Sequence, residues 1–436
     1  MNLDSFELTA RWPSPPAPEA PDVAELRISA AGETLIRICD FDRKEDRDYV
    51  RGSAVSLAFW LADNFWRLRY ESLPDGHAPS TNWRLRHEMT SAAGGTLWPP
   101  IMVHSTGERV LFASAYAKSV DIGAIRYALP EMVMVSGSAF ANGLDRYFDE
   151  VVATCAHAID GVALQELVGT LRLERSDPNM MSWRRLEARL GYDPDTVPTE
   201  LMRTLGKLER HVGESALDEA AAATPGREAG NYLASVVEAA RESEVVVDLG
   251  IARQVAANDL AQPSAARPWE QGRAAARRVR DIAGLGDRPV RAQAFSDLLQ
   301  TKREDLQRRG TARGLPYSAR LRQHGDRQRI ALQSANPRDR RFELSCALAD
   351  EIWAHSDFGI ISKAKTDRQK FQRAFAQNLL VPFSDLAARI DLANPTELQI
   401  QEAAVYYHVH PNVIRRLLIL EGVLPEETFE ERLEAA

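Results

Sequence analysis

The sequence predicts an α+β fold that is predominantly helical and divided into three domains. Three patterns carry this prediction: alternating apolar residues near the N-terminus, apolar residues three or four positions apart over most of the remaining chain, and proline- or glycine-rich breaks between these segments. A chain of 436 residues is also longer than one hydrophobic core usually organises. We expect an N-terminal α+β domain over residues 1–160, a helical middle region and linker over 161–280, and a C-terminal domain over 281–436.

The N-terminal domain combines a predicted hairpin, two helices and further strands. Its proline-rich start disfavours a helix, the alternation that follows is typical of strands, and Ser136 precedes a long amphipathic pattern as a capping residue. The expected elements, in chain order, are an extended segment at 12–22, hairpin strands at 24–28 and 35–38, a helix at 53–70, strands at 110–116 and 122–135, and a helix from 136 to 158.

The middle region and the C-terminal domain are predicted to be mainly helical. Glycine and proline divide the middle region into short helices, and residues 261–270 have the composition of a linker. Pro382, Pro395 and Pro411 stand where helices should start or stop. The expected elements of the C-terminal domain are a charged helix at 291–309, strands at 314–322 and 327–333, and helices at 337–355, 365–380, 397–407 and 411–421.

Composition excludes several classes of protein. Cys39, Cys155 and Cys346 are far apart and form no CxxC pair, so neither a disulfide framework nor a cysteine-rich zinc module is expected. No segment has the ~18–20 uncharged apolar residues of a membrane helix, and the first residues lack the pattern of a signal peptide. The net charge of -8 argues against a nucleic-acid surface along the whole chain. We expect a cytoplasmic protein without a membrane partner.

Three ordered stretches of the C-terminal domain carry a family resemblance. Residues 340–350 read RRFELSCALAD, residues 375–382 read FAQNLLVP, and residues 403–411 read AAVYYHVHP. In this order they resemble the ImmA/IrrE family of zinc peptidases, whose helices carry RRF-x-L-x-H-E-x-x-H and FA-x-E-L-L-M-P and whose last helices form a helix-turn-helix-like element. The resemblance covers only the C-terminal third of the chain and implies a zincin-like fold there.

The chain departs from that family at the residues that do the chemistry. A zincin helix needs two His four positions apart to bind zinc, and a Glu after the first His to accept a proton from the zinc-bound water. Cys346, Ala347 and Asp350 stand at those positions, and Gln369 stands where the family has a third ligand, a Glu. General-base catalysis is worth about 10²–10⁴-fold in rate. The resemblance therefore implies a degenerate site at which we expect no zinc. We do not expect a classical zinc peptidase.

Two interpretations of these positions stay open. Glu343, Cys346 and Asp350 share one helical face, and with His355 they could form a remodelled metal site. Alternatively, Cys346 is a buried thiol and the two carboxylates pair with nearby arginines; the candidate arginines are Arg340, Arg341 and Arg373.

Two further patterns have both a functional and a structural interpretation. His87-Glu88 is half of a zinc motif, but its alternative is a solvated or salt-bridged helical turn. Residues 302–329 carry nine Lys or Arg against three Asp or Glu, which suits contact with nucleic acid or an acidic partner, or a solvated face. The arginines proposed for such contacts are Arg308, Arg309, Arg313, Arg320 and Arg322.

By resemblance, the favoured function is that of a non-catalytic regulatory or defence-associated protein. Active relatives cleave helix-turn-helix repressors in bacterial stress, phage-defence or toxin–antitoxin settings. A chain that keeps the scaffold without the catalytic residues is expected to bind a protein partner, such as a repressor of this kind, through a peptidase-like groove. The alternatives are a metallo-endopeptidase with a remodelled metal site that cleaves a repressor, and a nucleic-acid-binding effector that uses the basic stretch 302–341.

Overall fold

The chain folds into two compact units, Met1–Val197 and Pro198–Ala436. A computed structural model describes residues 4–13, 21–74, 79–93, 96–114, 119–128, 132–156, 160–259, 267–304 and 314–425. About 52% of it is helix and its sheets are small and antiparallel, which confirms the α+β, mainly helical class. No described helix is long and apolar enough to cross a membrane.

The division at residue 197 differs from the three domains expected from the sequence. Residues 161–280 do not form a separate unit, because their helices pack onto two different cores. Leu164, Val168 and Leu171 belong to the core of the first unit, whereas Val247, Val255 and Val279 belong to that of the second. An amphipathic helix buries its apolar stripe against whichever layer is adjacent, and periodicity alone does not identify that layer.

The strands of the first unit are β1 Phe6–Arg11, β2 Val23–Ala30, β3 Glu33–Thr34, β4 Arg37–Asp40, β5 Glu45–Arg47, β6 Val50–Ser53, β7 Ile101–Ser105, β8 Arg109–Ser114, β9 Ser119–Ile122, β10 Ile125–Ala128 and β11 Met132–Ser136. Within the described residues they form three antiparallel sheets, in the orders β1-β2-β3 with β6 also paired to β2, β5-β4-β10-β9, and β11-β8-β7. The helices of this unit are α1 Ala54–Asp63, α2 Phe65–Tyr70, α3 Thr81–His87, α4 Gly137–Thr154, α5 Gly161–Ser176 and α6 Pro178–Arg189, with a 3-10 turn at Met89–Ser91.

Local sequence explains the predicted elements of this unit. The hairpin turns at Ala31 and Gly32, which both have positive φ, as a tight two-residue turn requires. Its second strand is short, since the chain leaves after Thr34 to form β4 in another sheet. The helix expected at 53–70 is broken at Asn64, whose side chain donates to the Trp60 carbonyl. Ser136 caps α4 as predicted, accepting from the Ala139 N–H.

The strands of the second unit are β12 Val246–Asp248, β13 Ser318–Arg322, β14 Arg327–Ala331 and β15 Phe358–Ile361. In the part of this unit that the structure describes, they form one antiparallel sheet in the order β12-β14-β13-β15, and helices surround it. The helices of this unit are α7 Thr199–Val212, α8 Glu214–Ala223, α9 Ala229–Glu242, α10 Ile251–Asp259, α11 Pro268–Ile282, α12 Ala292–Leu298, α13 Pro337–Trp353, α14 Asp367–Leu380, α15 Phe383–Ala387, α16 Glu397–Tyr407 and α17 Pro411–Leu420.

Helix boundaries in this unit follow the predicted capping signals. Asn336 caps α13 and Pro337 occupies its first turn. Thr396 and Gln399 form a capping box at the start of α16. Two predictions are wrong: α11 begins at Pro268, inside the expected linker, and α12 ends at Leu298 rather than continuing to 309. The expected segments at 14–20 and 305–313 lie outside the described residues.

Candidate functional site

The helix on which the resemblance places the zincin motif, α13, lies in the core of the second unit. Helix α13 packs against α14, the sheet and α10, so every residue from Leu344 to Ile352 is buried. Cys346 is 2% exposed, and Ala347, Asp350 and Gln369 are each 0% exposed. The residues that the resemblance places at a catalytic site therefore lie in the interior, away from solvent.

Asp350 is the centre of a buried ion-pair network. Its carboxylate accepts from Arg320 Nε at 2.6 Å and from Gln372 Nε2 at 2.6 Å. Arg368 donates through Nε at 2.6 Å and through Nη2 at 2.9 Å. Burial alone would raise the pKa of Asp350, but the charges and hydrogen bonds of Arg368 and Arg320 lower it overall. The Asp350 side chain is an ionised ion-pair partner with both oxygens occupied.

Arg320 extends this network to the end of α13. Its guanidinium also contacts the Glu351 carboxylate at 2.7 Å and donates to the carbonyl oxygens of Ala354 and Ser356 at 2.7 and 2.8 Å. Glu351 in turn pairs with Arg322 at 2.6 Å. Arg320 is 0% exposed, so it cannot contact nucleic acid at the surface as the sequence suggested. It lies on a central strand, where its side chain faces the core.

Gln369, which the resemblance places at the position of the third zinc ligand, is fixed as a hydrogen-bonding side chain. Its Oε1 accepts from the Ser362 N–H at 2.8 Å, and its Nε2 donates to the Ile360 carbonyl and to Glu219 Oε2, both at 2.9 Å. Glu219 also accepts from the Thr366 hydroxyl at 2.8 Å. An amide side chain can accept from the Ser362 N–H and also donate to the Ile360 carbonyl and Glu219. An ionised carboxylate can only accept, so it could not replace the amide here.

Helix α8 covers this side of the motif. Glu219 belongs to α8, and a second residue of the same helix, Ser215, accepts from Arg368 Nη1 at 2.8 Å. The sequence places α8 in the expected middle region, and its spacing gives no indication of this contact. The signal that could have revealed it is the short, alanine-rich face of α8, which needs a partner surface to bury Ala216, Leu217 and Ala220.

The four residues of the remodelled metal site each have protein partners in the structure. Glu343 accepts from the Ser318 hydroxyl at 2.7 Å and from the backbone of residues 333 and 334. His355 pairs through Nδ1 with Glu351 at 2.9 Å and is partly exposed. Burial raises the pKa of the Cys346 thiol, which points toward the Gln372 carbonyl at 3.6 Å. Among the described residues no three His, Cys, Asp or Glu side chains could hold one metal ion.

The alternative interpretation, a buried thiol and carboxylates paired with arginines, is correct for Cys346. For Asp350 it is correct about the type of partner but not about which arginines. Cys346 is a buried thiol, and Asp350 does pair with arginines. The partners differ from those expected: they are Arg320 and Arg368, not Arg340, Arg341 or Arg373. Glu343 takes neutral donors instead of an arginine.

The remaining basic candidates divide into two groups. Arg322 is engaged with Glu351 and Asp357, at 2.6 and 3.3 Å. Arg308, Arg309 and Arg313 lie outside the described residues. Within the described residues, the two proposed contact arginines on β13 are therefore committed to carboxylates of their own unit.

His87 and Glu88 form structural contacts in the first unit. His87 is fully buried, with Nδ1 2.8 Å from the Val103 carbonyl and Nε2 2.8 Å from Glu71. Glu88 pairs with Arg84 at 2.7 Å. A carbonyl can only accept, so His87 Nδ1 donates to Val103. The segment is salt-bridged, as one form of the alternative predicts, but it is not solvated, because His87 and Glu88 are 0% and 2% exposed.

Comparisons of the chain with protein-family models, with curated proteins and with solved structures find no match.

Proposed function

We propose that this is a non-catalytic, cytoplasmic regulatory protein that uses an ImmA/IrrE-like scaffold to bind a protein partner. The observation that carries the proposal is the pairing of Asp350 with Arg320 and Arg368 where the resemblance expects a zinc ligand. Two guanidinium groups are fixed cations that repel a divalent metal ion. Ala347, beside them, has no group that accepts a proton from water.

The partner class follows from the resemblance. Catalytically active relatives recognise helix-turn-helix repressors, and a scaffold without the chemistry retains surfaces for recognition. A partner has no direct access to the motif side chains, because they are buried and α8 covers the side that carries Gln369. The partner is therefore expected on an outer surface of the chain and not in a groove over Asp350. A regulatory or defence-associated setting is part of the same proposal.

The two alternative functions are a remodelled metallopeptidase and a nucleic-acid-binding effector. The contacts of the described residues support neither of them. A remodelled metallopeptidase needs Glu343, Cys346 and Asp350 to share a metal, yet each has a different protein partner. A nucleic-acid effector built on β13 needs Arg320 at the surface, where it is not.

The first test measures metal and hydrolysis. Protein purified without chelators or a histidine tag is analysed for zinc and iron, and incubated with a purified helix-turn-helix repressor from its native host. We expect far less than one metal per chain and an intact repressor. One equivalent of metal per folded chain, together with cleavage of the repressor, would overturn the non-catalytic proposal.

The second test addresses the partner. The chain is tagged in its native host, recovered after crosslinking, and any repressor recovered is titrated against the purified chain by calorimetry. We expect a saturable one-to-one complex with a helix-turn-helix protein. Recovery of no such protein from cells that express both would count against the partner class, while leaving the metal result unaffected.

A further inference from the structure

A cavity in the second unit is lined by positively charged side chains. The described residues that line it include no carboxylate. It has a volume of about 370 Å³ and lies at the N-terminal end of α13. Its polar lining includes Arg303, Arg338, Arg341 and His408, and its apolar lining includes Phe295 and Leu344. None of the described lining residues is Asp or Glu, although the chain as a whole has a net charge of -8.

Arg341 is the residue of this lining that indicates an anion-binding site. It is 9% exposed, and one of its nitrogens, Nη2, donates to the Val290 carbonyl. Its buried Nε has no hydrogen-bond partner among the described residues. Burial and the nearby charge of Arg291 lower the pKa of Arg341 to about 10. Buried guanidinium groups normally have a carboxylate partner, and none of the ion pairs of the described residues includes Arg341.

The surrounding groups add to the positive potential instead of neutralising it. Burial lowers the pKa of His408, and the charges of Arg341, Arg291 and Arg338 lower it further. The N-terminal end of α13, a helix of 17 residues, contributes its own partial positive charge. The nearby Asp339 is in the first turn but faces Ser334, at 3.4 Å, and does not line the cavity.

The ring of Phe295 stabilises part of the positive charge that lines this cavity. The Arg341 guanidinium lies over its ring, 4.9 Å from the centroid, which stabilises the cation without supplying a hydrogen-bond acceptor. The contact also holds the planar guanidinium in one orientation. A pre-oriented guanidinium that lines a cavity and has an unpartnered Nε–H is an arrangement suited to a phosphate oxygen.

We propose that this cavity binds a small organic phosphate of about nucleotide size, with its phosphate on Arg341, Arg338 and Arg303. A phosphate dianion matches three guanidinium groups better than a carboxylate does, since it offers more charge and more acceptor oxygens. The cavity volume lies within the usual ~300–1,000 Å³ range of small-molecule sites. Phe295 and Leu344 line the part that receives the organic group. This site goes beyond the proposed function, because ligand binding here requires no protein partner.

The test uses the full chain and four probes at equal ionic strength, set with chloride. The probes are AMP, ribose 5-phosphate, inorganic phosphate and uncharged adenosine. A ligand that binds only the folded chain raises its Tm. We expect AMP or ribose 5-phosphate to raise the Tm by several degrees and to give saturable calorimetric binding, and adenosine to do neither. No rise with either organic phosphate, or an equal rise with inorganic phosphate, would overturn the proposal.

Variants assign the binding to this cavity. Arg338 is only partly buried, so Arg338→Ala should fold and should weaken AMP or ribose 5-phosphate binding by about tenfold or more. Arg277→Ala is the matched control, since Arg277 is exposed on α11 and does not line the cavity. Arg341→Met should abolish binding and, by removing a buried charge without a counter-ion, raise the Tm of the ligand-free chain. Equal binding by the Arg338→Ala and Arg277→Ala variants would place the ligand elsewhere and reject this site.

Discussion

Arg368 binds both carboxylate oxygens of Asp350, with Nε 2.6 Å from Oδ1 and Nη2 2.9 Å from Oδ2. This fork-to-fork geometry is the strongest form of the arginine–carboxylate pair. Arg320 binds the same carboxylate from β13, so one aspartate on α13 links a strand and two helices. The position that the resemblance assigns to a metal ligand has become a structural connection within the second unit.

Replacing Asp350 with Asn should destabilise the second unit strongly. The substitution keeps the shape of the side chain but leaves Arg320 and Arg368 without the carboxylate charge in a fully buried site. Breaking a buried ion pair by removing one partner costs about 3–5 kcal/mol. The free energy of unfolding is measured by urea titration. Glu397→Gln is the control, because its pair with Arg415 is exposed and should contribute less than about 1 kcal/mol. Equal effects of the two variants would contradict this account.

Gly359 should not tolerate a methyl group. A Cβ at this position on β15 would lie 1.8 Å from Asp350 Oδ2 and 2.6 Å from Arg320 Nε. Gly359→Ala must therefore displace the ion pair, and we expect a loss of about 2 kcal/mol or more. Gly206→Ala is the matched control, since nothing lies within 4 Å of its Cβ and alanine favours the interior of α7 by about 0.5–1 kcal/mol. In urea titrations, we expect Gly359→Ala to lower the free energy of unfolding and Gly206→Ala to raise it.

The sequence predicts the elements around Asp350 better than it predicts the partners of Asp350. Helices α13 and α14 are found close to their expected bounds, because Asn336 and Thr366 cap them and apolar periodicity continues through both. Strand β15 was missed, since its four residues, FGII, are too few to show alternation. Short buried strands and short buried helix segments look alike in a sequence.

The pairing itself depends on tertiary distances that spacing does not contain. Local reasoning favoured arginines within reach along the helix, such as Arg340 and Arg341. The actual partners are 30 and 18 residues away from Asp350, on other elements. Likewise, α8 was assigned to a separate region because its composition resembles that of its neighbours. Only the packed unit shows that Glu219 bonds to Gln369.

The stability of the second unit should fall in acid because of Asp350. Its pKa in the folded chain is lowered, below the value of about 3.9 for an unfolded aspartate. A depressed pKa contributes stability that is fully present above the unfolded value and is lost as the pH falls through the folded value. Urea midpoints measured from pH 6 down to pH 3 should decrease below about pH 4. Asp350→Asn should flatten this decrease; an unchanged slope would assign the acid sensitivity to other groups.

Glu71 should give the first unit a similar acid sensitivity. Burial raises its pKa, but the charges of His87 and Arg67 and their hydrogen bonds lower it overall, so its contribution is also lost as the pH falls. The wild-type chain should therefore keep some acid sensitivity even when Asp350 is replaced. Glu71→Gln combined with Asp350→Asn should show a weaker pH dependence of the urea midpoint than either single variant.

The three thiols should differ in reactivity according to burial. Cys346 and Cys155 are buried and Cys39 is partly exposed. Burial raises the pKa of Cys346, and it raises that of Cys155 to about 11, so neither is a thiolate near pH 8. Iodoacetamide should label Cys39 first in the native chain and all three residues in urea, as read by mass spectrometry of peptides. Rapid native labelling of Cys346 would show that the motif helix is accessible.

Introducing a zincin motif at the positions that the resemblance identifies should not create a zinc site. The variant that combines Cys346→His, Ala347→Glu, Asp350→His and Gln369→Glu supplies the ligands of the family. It also leaves Arg320 and Arg368 in the core without the carboxylate that they bind. Two unit charges 4 Å apart repel by about 4 kcal/mol at an effective dielectric constant of 20, and a divalent ion beside two guanidinium groups meets several times this repulsion. We expect a destabilised chain without stoichiometric zinc.

A second variant that adds Arg320→Gln and Arg368→Gln removes the repulsion and should bind zinc more tightly than the first. If the first variant is folded by circular dichroism and holds one zinc per chain, the arginines are not what excludes the metal.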